Sequence, residues 1–226
     1  QEVINKLINL NKEFYNLVSA SFDETRNFYW DGWIKVLPYF LSMSECVSEP
    51  KVLDLGCGNG RFCSFLTNKI PNFDPKNYIG LDFDNFLLEK ARIANPKASF
   101  VKVDILDFDS LAKLFSNRTF NLIVVYGFMH HIPSFQKRVY FLNLLRNFLA
   151  PNGKISFSTW EFILKPYFWS RTIFLKKPIP WETIGLKESQ IEKNDYLFSW
   201  SNKNKGIRYC HYISKREAKK LCQKSG

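Results

Sequence analysis

The chain has 226 residues, which suits one domain or at most two, and its composition is that of a globular protein. A formal net charge of +11, from 32 Lys and Arg against 21 acids, favours a polyanion such as nucleic acid, although a basic surface that binds none fits equally well. The five cysteines are scattered, which argues against a disulfide framework or a zinc cage, and without a signal peptide or membrane-length apolar run we expect a reducing cytoplasm.

Two helical stretches open the chain. Apolar residues recur at helical spacing from Glu2 to about Ser19, and again from about Trp33 to Leu41, where Pro38 predicts a kink or an end. Because the first residue is Gln rather than Met, we expect the chain to be trimmed or partial.

Apolar strands then alternate with helices. The predicted strands are Lys51–Leu55, Tyr78–Phe83, Ser99–Val103, Phe120–Tyr126 and Lys154–Thr159. The predicted helices are Arg61–Asn68, Asn85–Ala94, Ser110–Phe115 and Ser134–Leu149, the last followed by a turn at Pro151–Gly153. This alternation predicts an α/β, Rossmann-like fold, a mostly parallel sheet with helices on both faces.

The pattern changes after Trp160. Phe162–Lys177 interleaves cations with aromatics, which suits RNA, although a solvated amphipathic helix explains it equally well. The residues concerned are Lys165, Tyr167, Phe168, Trp169, Arg171, Lys176 and Lys177. Pro178–Asn194 is predicted to be a loop.

The last part of the chain predicts a hairpin and a helix. Tyr196–Trp200 and Ile207–Ile213 have the composition of paired strands. Ser214 and Glu217 have the spacing of a capping box that begins a final helix.

A glycine-rich turn follows the first strand, in the sequence VLDLGCGNG at residues 52–60. Glycines let a backbone approach a ligand closely, and the N-terminus of the next helix offers free amide groups and a positive dipole end. A dinucleotide fingerprint needs a third glycine where this chain has Arg61, so a nicotinamide-dependent oxidoreductase is disfavoured.

Acidic residues end three successive predicted strands, at Asp54, Asp82 and Asp104. A single strand-end acid more often caps the next helix. Three of them together with the glycine turn predict a nucleoside-type ligand at the carboxyl edge of the sheet, with Asp82 placed to accept both ribose hydroxyls.

The turn and its acids resemble motif I of the class I S-adenosylmethionine-dependent methyltransferases, and the resemblance covers about residues 52–158. It implies that Asp54 and the turn hold the methionine part, Asp82 the ribose, and Asp104 with Ile105 the adenine. Tyr126 and Gly127 are implied to face the sulfonium and the acceptor. The cofactor-binding residues are then Asp54, Gly56, Cys57, Gly58, Asn59, Gly60, Asp82, Phe83, Asp104, Ile105 and Tyr126.

Segments flanking this core resemble the tRNA wobble-uridine methyltransferases, which esterify 5-carboxymethyluridine. They are Thr25-Arg26 with Trp30, His130-His131, Lys137-Arg138, YLFSW at 196–200 and RYCHY at 208–212. The resemblance implies a tRNA substrate and, as in some relatives, a small zinc-binding activator subunit. The chain departs from the family at Phe198-Ser199-Trp200, where a Val-Pro-Trp-like stretch is usual. The resemblance also implies that the final strands of the sheet are missing after Gly226.

A carboxylate acceptor is ionised near neutral pH, so it needs a cation to hold it and no general base. Arg26 and Arg208 are the predicted cations, and His131 and His211 are predicted to act in catalysis beside them. Arg26 could instead pair with Asp23 or Glu24, and His131 could bond only to backbone. No metal site is predicted.

We predict a single methyltransferase domain in four segments. These are an N-terminal helical segment (1–48), the cofactor-binding core (49–160), a substrate-side insertion (161–213) and the last helix (214–226). A small-molecule O- or C-methyltransferase with the same core is the main alternative, and a non-catalytic module that keeps the fold is another.

Overall fold

The computed structural model describes residues 1–26, 28–162, 179–199 and 206–226, which group into two compact units. The sheet unit comprises Ser19–Tyr126 and Asn143–Phe157. The hairpin unit comprises the described residues of Gln1–Val18, Gly127–Leu142 and Ser158–Gly226. Both units are assembled from separate segments and do not follow the four predicted segments; the single domain stays a prediction.

A parallel sheet of five strands organises the described residues of the sheet unit, in the order β3-β2-β1-β4-β5. β1 is buried at every position, as expected of a strand with both neighbours in place and both faces covered. The strand order reverses between β1 and β4, the point where open α/β sheets bind ligands. The predicted Rossmann-like sheet is thus confirmed. Its strands are β1 (Val52–Leu55), β2 (Tyr78–Asp82), β3 (Ser99–Lys102), β4 (Phe120–Val125) and β5 (Leu149–Phe157).

The helices lie close to where hydrophobic spacing places them. Asp84 and Asp107 cap two of them, accepting from the backbone N of Leu87 and Ser110, each at 3.1 Å. The predicted stretch from about Trp33 to Leu41 is divided into two helices, one ending at Ile34 and the next beginning at Leu37, so the predicted break near Pro38 is confirmed. Pro38 lies in the first turn of the second helix, where no amide donor is needed. The helices are α1 (Glu2–Glu24), α2 (Asp31–Ile34), α3 (Leu37–Cys46), α4 (Arg61–Lys69), α5 (Asn85–Ala94), α6 (Phe108–Leu114), α7 (Phe135–Arg146) and α8 (Lys215–Lys224).

The predicted turn at Pro151–Gly153 is instead part of β5. Asn152 takes a positive φ of 61°, and the pairing of β4 with β5 shifts register between Phe120 and Leu122. Asn tolerates this backbone region better than most residues, so the strand absorbs the irregularity as a bulge and continues.

The hairpin unit confirms the predicted antiparallel pair, as β6 (Asp195–Ser199) and β7 (Ile207–His211). Ser214 caps α8 by accepting from the backbone N of Glu217 at 3.2 Å. The predicted loop contains two short 3-10 helices, Trp181–Ile184 and Glu188–Gln190. The basic, aromatic residues predicted to contact RNA, Lys165 to Lys177, lie outside the described residues.

The hairpin unit has its own apolar core. Leu7 on α1 packs with Leu186, with Leu197 on β6 and with Tyr209 on β7.

Nowhere in the described ranges does a helix combine the length and apolar character needed to cross a membrane.

Candidate active site

Three glycines in the loop after β1 take left-handed backbone conformations, with φ of 79° at Gly56, 54° at Gly58 and 76° at Gly60. Residues with a Cβ rarely adopt this region. A Cβ at Gly60 would also lie 2.9 Å from the Cβ of Ala91, because the loop packs directly on α5. The glycine spacing read from the sequence is therefore required by the backbone.

Asp82, the last residue of β2, holds this loop. Its Oδ2 accepts from the backbone N of Gly58 at 2.9 Å, and its Oδ1 accepts from that of Asp84 at 3.0 Å. Burial raises the pKa of Asp82 to about 6, while the two backbone donors act in the opposite direction. The loop and the carboxylate are fixed together, and the contact with ribose hydroxyls stays a prediction.

Asp54 is the third residue of β1 rather than its end, and it is buried. The hydroxyl of Tyr78 on the neighbouring strand donates a short hydrogen bond to its Oδ2. Burial raises the pKa of Asp54 to about 7, which Tyr78 opposes and the nearby charge of Asp82 reinforces. Two buried carboxyls with raised pKa favour a ligand that brings positive charge, because a cation stabilises their ionised form.

The predicted adenine side follows β3. Asp104 lies two residues beyond the strand, where its Oδ1 accepts from the backbone N of Leu106 at 3.1 Å, and Ile105 is buried. Because β1, β2 and β3 are parallel neighbours, Asp54, Asp82 and Asp104 all lie toward the carboxyl end of the sheet. Phe83, half-buried after β2, belongs to the same end.

Tyr126, the last residue of the sheet unit's first segment, is packed among aromatic side chains. Its hydroxyl donates to Oγ of Ser156 at 2.9 Å, and its ring meets that of Phe62 edge-on with centroids 5.0 Å apart. Burial raises the pKa of this tyrosine to about 12. The ring is held firmly, and its contact with the sulfonium stays a prediction.

The end of α1 and the segment after it bond to the glycine loop and to the start of α4. Asn59 donates from Nδ2 to Oδ1 of Asp23 at 2.7 Å, and Arg61 donates from Nη1 to the carbonyl of Phe28 at 2.6 Å. Burial, and then the charge of Arg26, lower the pKa of Arg61 to about 10. Arg26 lies in the sheet unit, close enough to Arg61 for the two positive charges to repel each other. The contact of Arg26 with a substrate stays a prediction.

His131 is buried in the hairpin unit and has protein partners on both ring nitrogens. Nε2 lies 2.7 Å from the hydroxyl of Tyr15. Nδ1 lies 3.2 Å from Nδ2 of Asn11 and 3.1 Å from the carbonyl of Tyr209. Burial, and then the charge of Arg208, lower the pKa of His131 to about 3. The ring is therefore neutral and positioned by protein groups.

Arg208, on β7, is also buried. Its guanidinium lies 4.9 Å from the ring centroid of Trp160 and 5.4 Å from that of Phe14. Its Nη1 donates to the hydroxyl of Tyr15 at 3.4 Å. Aromatic stacking and the hydrogen bond to Tyr15 thus orient a cation next to a neutral imidazole, an arrangement suited to binding an anion.

His211, on β7, is buried in a network of charged side chains. Nδ1 lies 2.6 Å from Oδ1 of Asp195, and Nε2 lies 3.0 Å from Oε2 of Glu217. Burial disfavours the charged ring, but these two carboxylates outweigh it and raise the pKa of His211. The fully buried Arg138 bridges Glu192 and Glu217, at 2.8 and 3.0 Å. Both ring nitrogens are engaged in this charge network, and the catalytic role of His211 stays a prediction.

Sequence reasoning missed the side chains that position these groups: Asn11, Tyr15, Tyr78 and Trp160. One signal was available, since Asn11 lies on the same apolar face of α1 as Leu7, Phe14 and Val18, all of them buried. A polar residue on such a face needs a buried partner, which here is His131. The other three gave no comparable signal, because an aromatic residue on an apolar face is compatible with ordinary core packing.

The chain matches a family model described as methyltransferase domain over residues 47–226. It is 27% identical over 213 residues to a protein of Encephalitozoon cuniculi (strain GB-M1) that is provisionally named a methyltransferase, covering 94% of this chain and 84% of that protein. It is 29% identical over 131 residues to the histidine protein methyltransferase 1 homolog of Dictyostelium discoideum, covering 55% of this chain and 40% of that protein.

Among solved structures, an S-adenosylmethionine-dependent methyltransferase from Methanosarcina mazei superposes with a TM-score of 0.58 at 16% identity, covering 78% of this chain and 79% of that one. At this identity the likeness shows the fold alone. The family match, which spans most of the chain, agrees with the glycine loop and the acids at the sheet edge. The chain therefore belongs to the methyltransferase domain family, as a class I domain whose methyl donor is S-adenosylmethionine.

Proposed function

We propose that this methyltransferase esterifies a carboxylate, the 5-carboxymethyl group of a wobble uridine in tRNA. The state of His131 carries the proposal. A buried imidazole with a pKa of about 3 is a poor general base at neutral pH, so it is ill suited to activating a hydroxyl or an ammonium group. A carboxylate is already ionised and needs no base.

Arg208 is the group that holds this carboxylate in the proposal. A guanidinium presents two parallel donors that match the two oxygens of a carboxylate. Trp160 and Phe14 stack on it and Tyr15 accepts from it, so its orientation is set before a substrate arrives. His131 acts as a positioning residue through Tyr15.

The sheet unit has the groups that the cofactor requires. When bound, S-adenosylmethionine supplies an activated methyl group on a cationic sulfonium. Asp54 and Asp82 favour a ligand that carries positive charge, and the glycine loop admits a ligand close to its backbone. The remaining task of the chain is to align an acceptor, and alignment of this kind supplies about 7–11 kcal/mol in favourable intramolecular cases.

The net charge of +11 supports an RNA substrate, since cations that contact phosphates release condensed counterions. The Dictyostelium relative is named as a protein methyltransferase, which makes a protein acceptor the principal rival. A histidine or other neutral acceptor releases a proton on methylation, whereas a carboxylate does not. The chemical stability of the product distinguishes these substrates.

The test is transfer of radiolabelled methyl groups from S-adenosylmethionine into tRNA that lacks wobble methyl esters, followed by mild alkali. An assay with a small zinc-binding activator subunit runs in parallel. Label in tRNA that alkali releases is the expected result, because methyl esters hydrolyse. Alkali-stable label in tRNA, or label only in protein or in small metabolites, would contradict the proposal.

A matched pair of variants tests the role of Arg208. Arg208→Lys keeps the charge but loses the two-point grip, and we expect kcat/KM for tRNA to fall at least about 30-fold, with cofactor affinity unchanged. Arg216→Lys makes the same change on the exposed surface of α8 and should behave like the wild type. Equal activity of the two variants would remove Arg208 from the mechanism.

A further inference from the structure

Three potential metal ligands meet inside the hairpin unit. His130, His131 and Cys210 each offer one ligand atom, and these atoms lie within 4.8 Å of one another. The histidines belong to the short 3-10 helix Met129–His131, and the cysteine belongs to β7. The three residues are 6%, 5% and 0% exposed, so a bound ion would be shielded from water.

The distances are close to those of a coordinated ion. Nδ1 of His131 lies 3.9 Å from Sγ of Cys210. A nitrogen and a sulfur that share one zinc-sized ion lie about 3.6–3.8 Å apart, from bond lengths of about 2.1 and 2.3 Å. The two imidazole rings are adjacent, with centroids 4.1 Å apart. A shift of a few tenths of an ångström would bring Nδ1 of His131 and Sγ of Cys210 to the separation at which both can bond to one ion.

His131 also has the second partner that metal-binding histidines need. Such a histidine commonly fixes its ring through the nitrogen that does not bind the ion. Here Nε2 is held by the Tyr15 hydroxyl at 2.7 Å, which leaves Nδ1 on the side of Cys210. Binding would replace the contacts of Nδ1 with Asn11 and the Tyr209 carbonyl.

The neighbouring charge selects the kind of ion. The Tyr15 hydroxyl lies 2.7 Å from Nε2 of His131 and 3.4 Å from Nη1 of Arg208, so the guanidinium charge of Arg208 lies beside this cluster. A monovalent ion with one thiolate adds no net charge beside this buried guanidinium, whereas a divalent ion adds one. The thiolate is a soft ligand that suits Cu(I), and imidazoles are common copper ligands.

From this geometry we propose that His130, His131 and Cys210 form a three-coordinate site for Cu(I). Two nitrogen lone pairs and the thiolate bond to the ion, and the thiol proton leaves to solvent. The site is independent of the RNA proposal, because metal binding is measured without any methyl acceptor.

The test is anaerobic titration of the whole chain with Cu(I) against bicinchoninate as competitor. The exposed Cys46 and Cys222 are first replaced by serine, so that surface thiols do not contribute. We expect one Cu(I) per chain, with an affinity that falls at least about 100-fold in Cys210→Ser. Cys63→Ser removes a different buried thiol, in the sheet unit, and should leave the affinity unchanged.

X-ray absorption of the loaded protein should show one sulfur and two nitrogen neighbours. His130→Gln is the second variant, should Cys210→Ser fail to fold, and it should lose affinity to a similar extent. Stoichiometric copper that survives both substitutions would overturn the site, as would failure to compete with bicinchoninate. Tighter binding of Zn(II) than of Cu(I) would overturn the choice of a monovalent ion.

Discussion

The sheet unit and the hairpin unit keep polar groups buried in different ways. In the sheet unit, Asp54 and Asp82 bond to backbone amides and a tyrosine, and both have raised pKa values. In the hairpin unit, two cations, Arg138 and His211, form ion pairs with three carboxylates. The buried carboxyls of the sheet unit are held by backbone conformation and would be stabilised in their ionised form by a bound cation. The buried charges of the hairpin unit are held by ion pairs with one another.

The largest expected effect comes from breaking these ion pairs with Arg138→Met. The substitution leaves Glu192 and Glu217 without their shared cation, and a broken buried pair typically costs about 3–5 kcal/mol of unfolding free energy. Urea denaturation measures the loss. Glu89→Gln, which breaks the exposed pair with Arg92, should cost less than about 1 kcal/mol. Similar losses in the two variants would show that the network adds no special stability.

Gly60→Ala tests the dependence of the sheet unit on its backbone. The φ of 76° and the contact with Ala91 both oppose a Cβ, so we expect about 2–3 kcal/mol of destabilisation and weaker binding of S-adenosylmethionine. Denaturation and calorimetric titration measure the two effects. Gly32→Ala on α2 adds a Cβ that meets nothing within 4 Å and should not destabilise the protein. An unaffected Gly60→Ala variant would mean that the loop adapts.

His131 makes stability depend on pH. Its folded pKa of about 3 lies below the value of about 6.5 expected in the unfolded chain, so the unfolded chain binds more protons between these values. The contribution is complete above about pH 6.5 and is lost as the pH falls, by about 2 kcal/mol at pH 5. His131→Asn should flatten the profile by that amount, as followed by urea midpoints. An unchanged difference between the two proteins across this range would contradict the assignment.

The smallest expected effect concerns cofactor affinity. Asp54, with a pKa of about 7, should lose its proton when a cationic ligand binds, so affinity should rise about tenfold from pH 6 to 8 and then level off. Calorimetry in buffers of different ionisation enthalpy counts the released protons. The Tyr78 hydrogen bond lowers this pKa, so Tyr78→Phe should move the midpoint to higher pH. A shift to lower pH would rule out Asp54 as the titrating group.

The sheet unit was largely predictable because its signals are local. Helix α5 was predicted with its observed bounds, Asn85–Ala94, since an apolar periodicity begins directly after the capping Asp84. The glycine loop was recognisable from spacing alone. The end of β1 at Leu55 was also predicted, so Asp54 lies one residue before the strand end in the prediction and in the structure.

The hairpin unit could be predicted only in part. Its strands were found, but the partners of His211 were not: Arg138 lies 73 residues away, and no periodic pattern connects them. A resemblance indicates which residue types recur, and it does not reveal whether a histidine faces a substrate or a pair of carboxylates. His131 shows the same limit, since Tyr15 lies 116 residues from it.

Glu217 has a consequence for how the end of the described chain unfolds. Its position suits the reciprocal bond of a capping box, yet its carboxylate bonds to Arg138 and His211. The first turn of α8 therefore cannot fray without separating buried opposite charges. Terminal helices usually exchange their amide hydrogens through local fraying. Here the start of α8 should exchange only together with β7, as part of one cooperative unit.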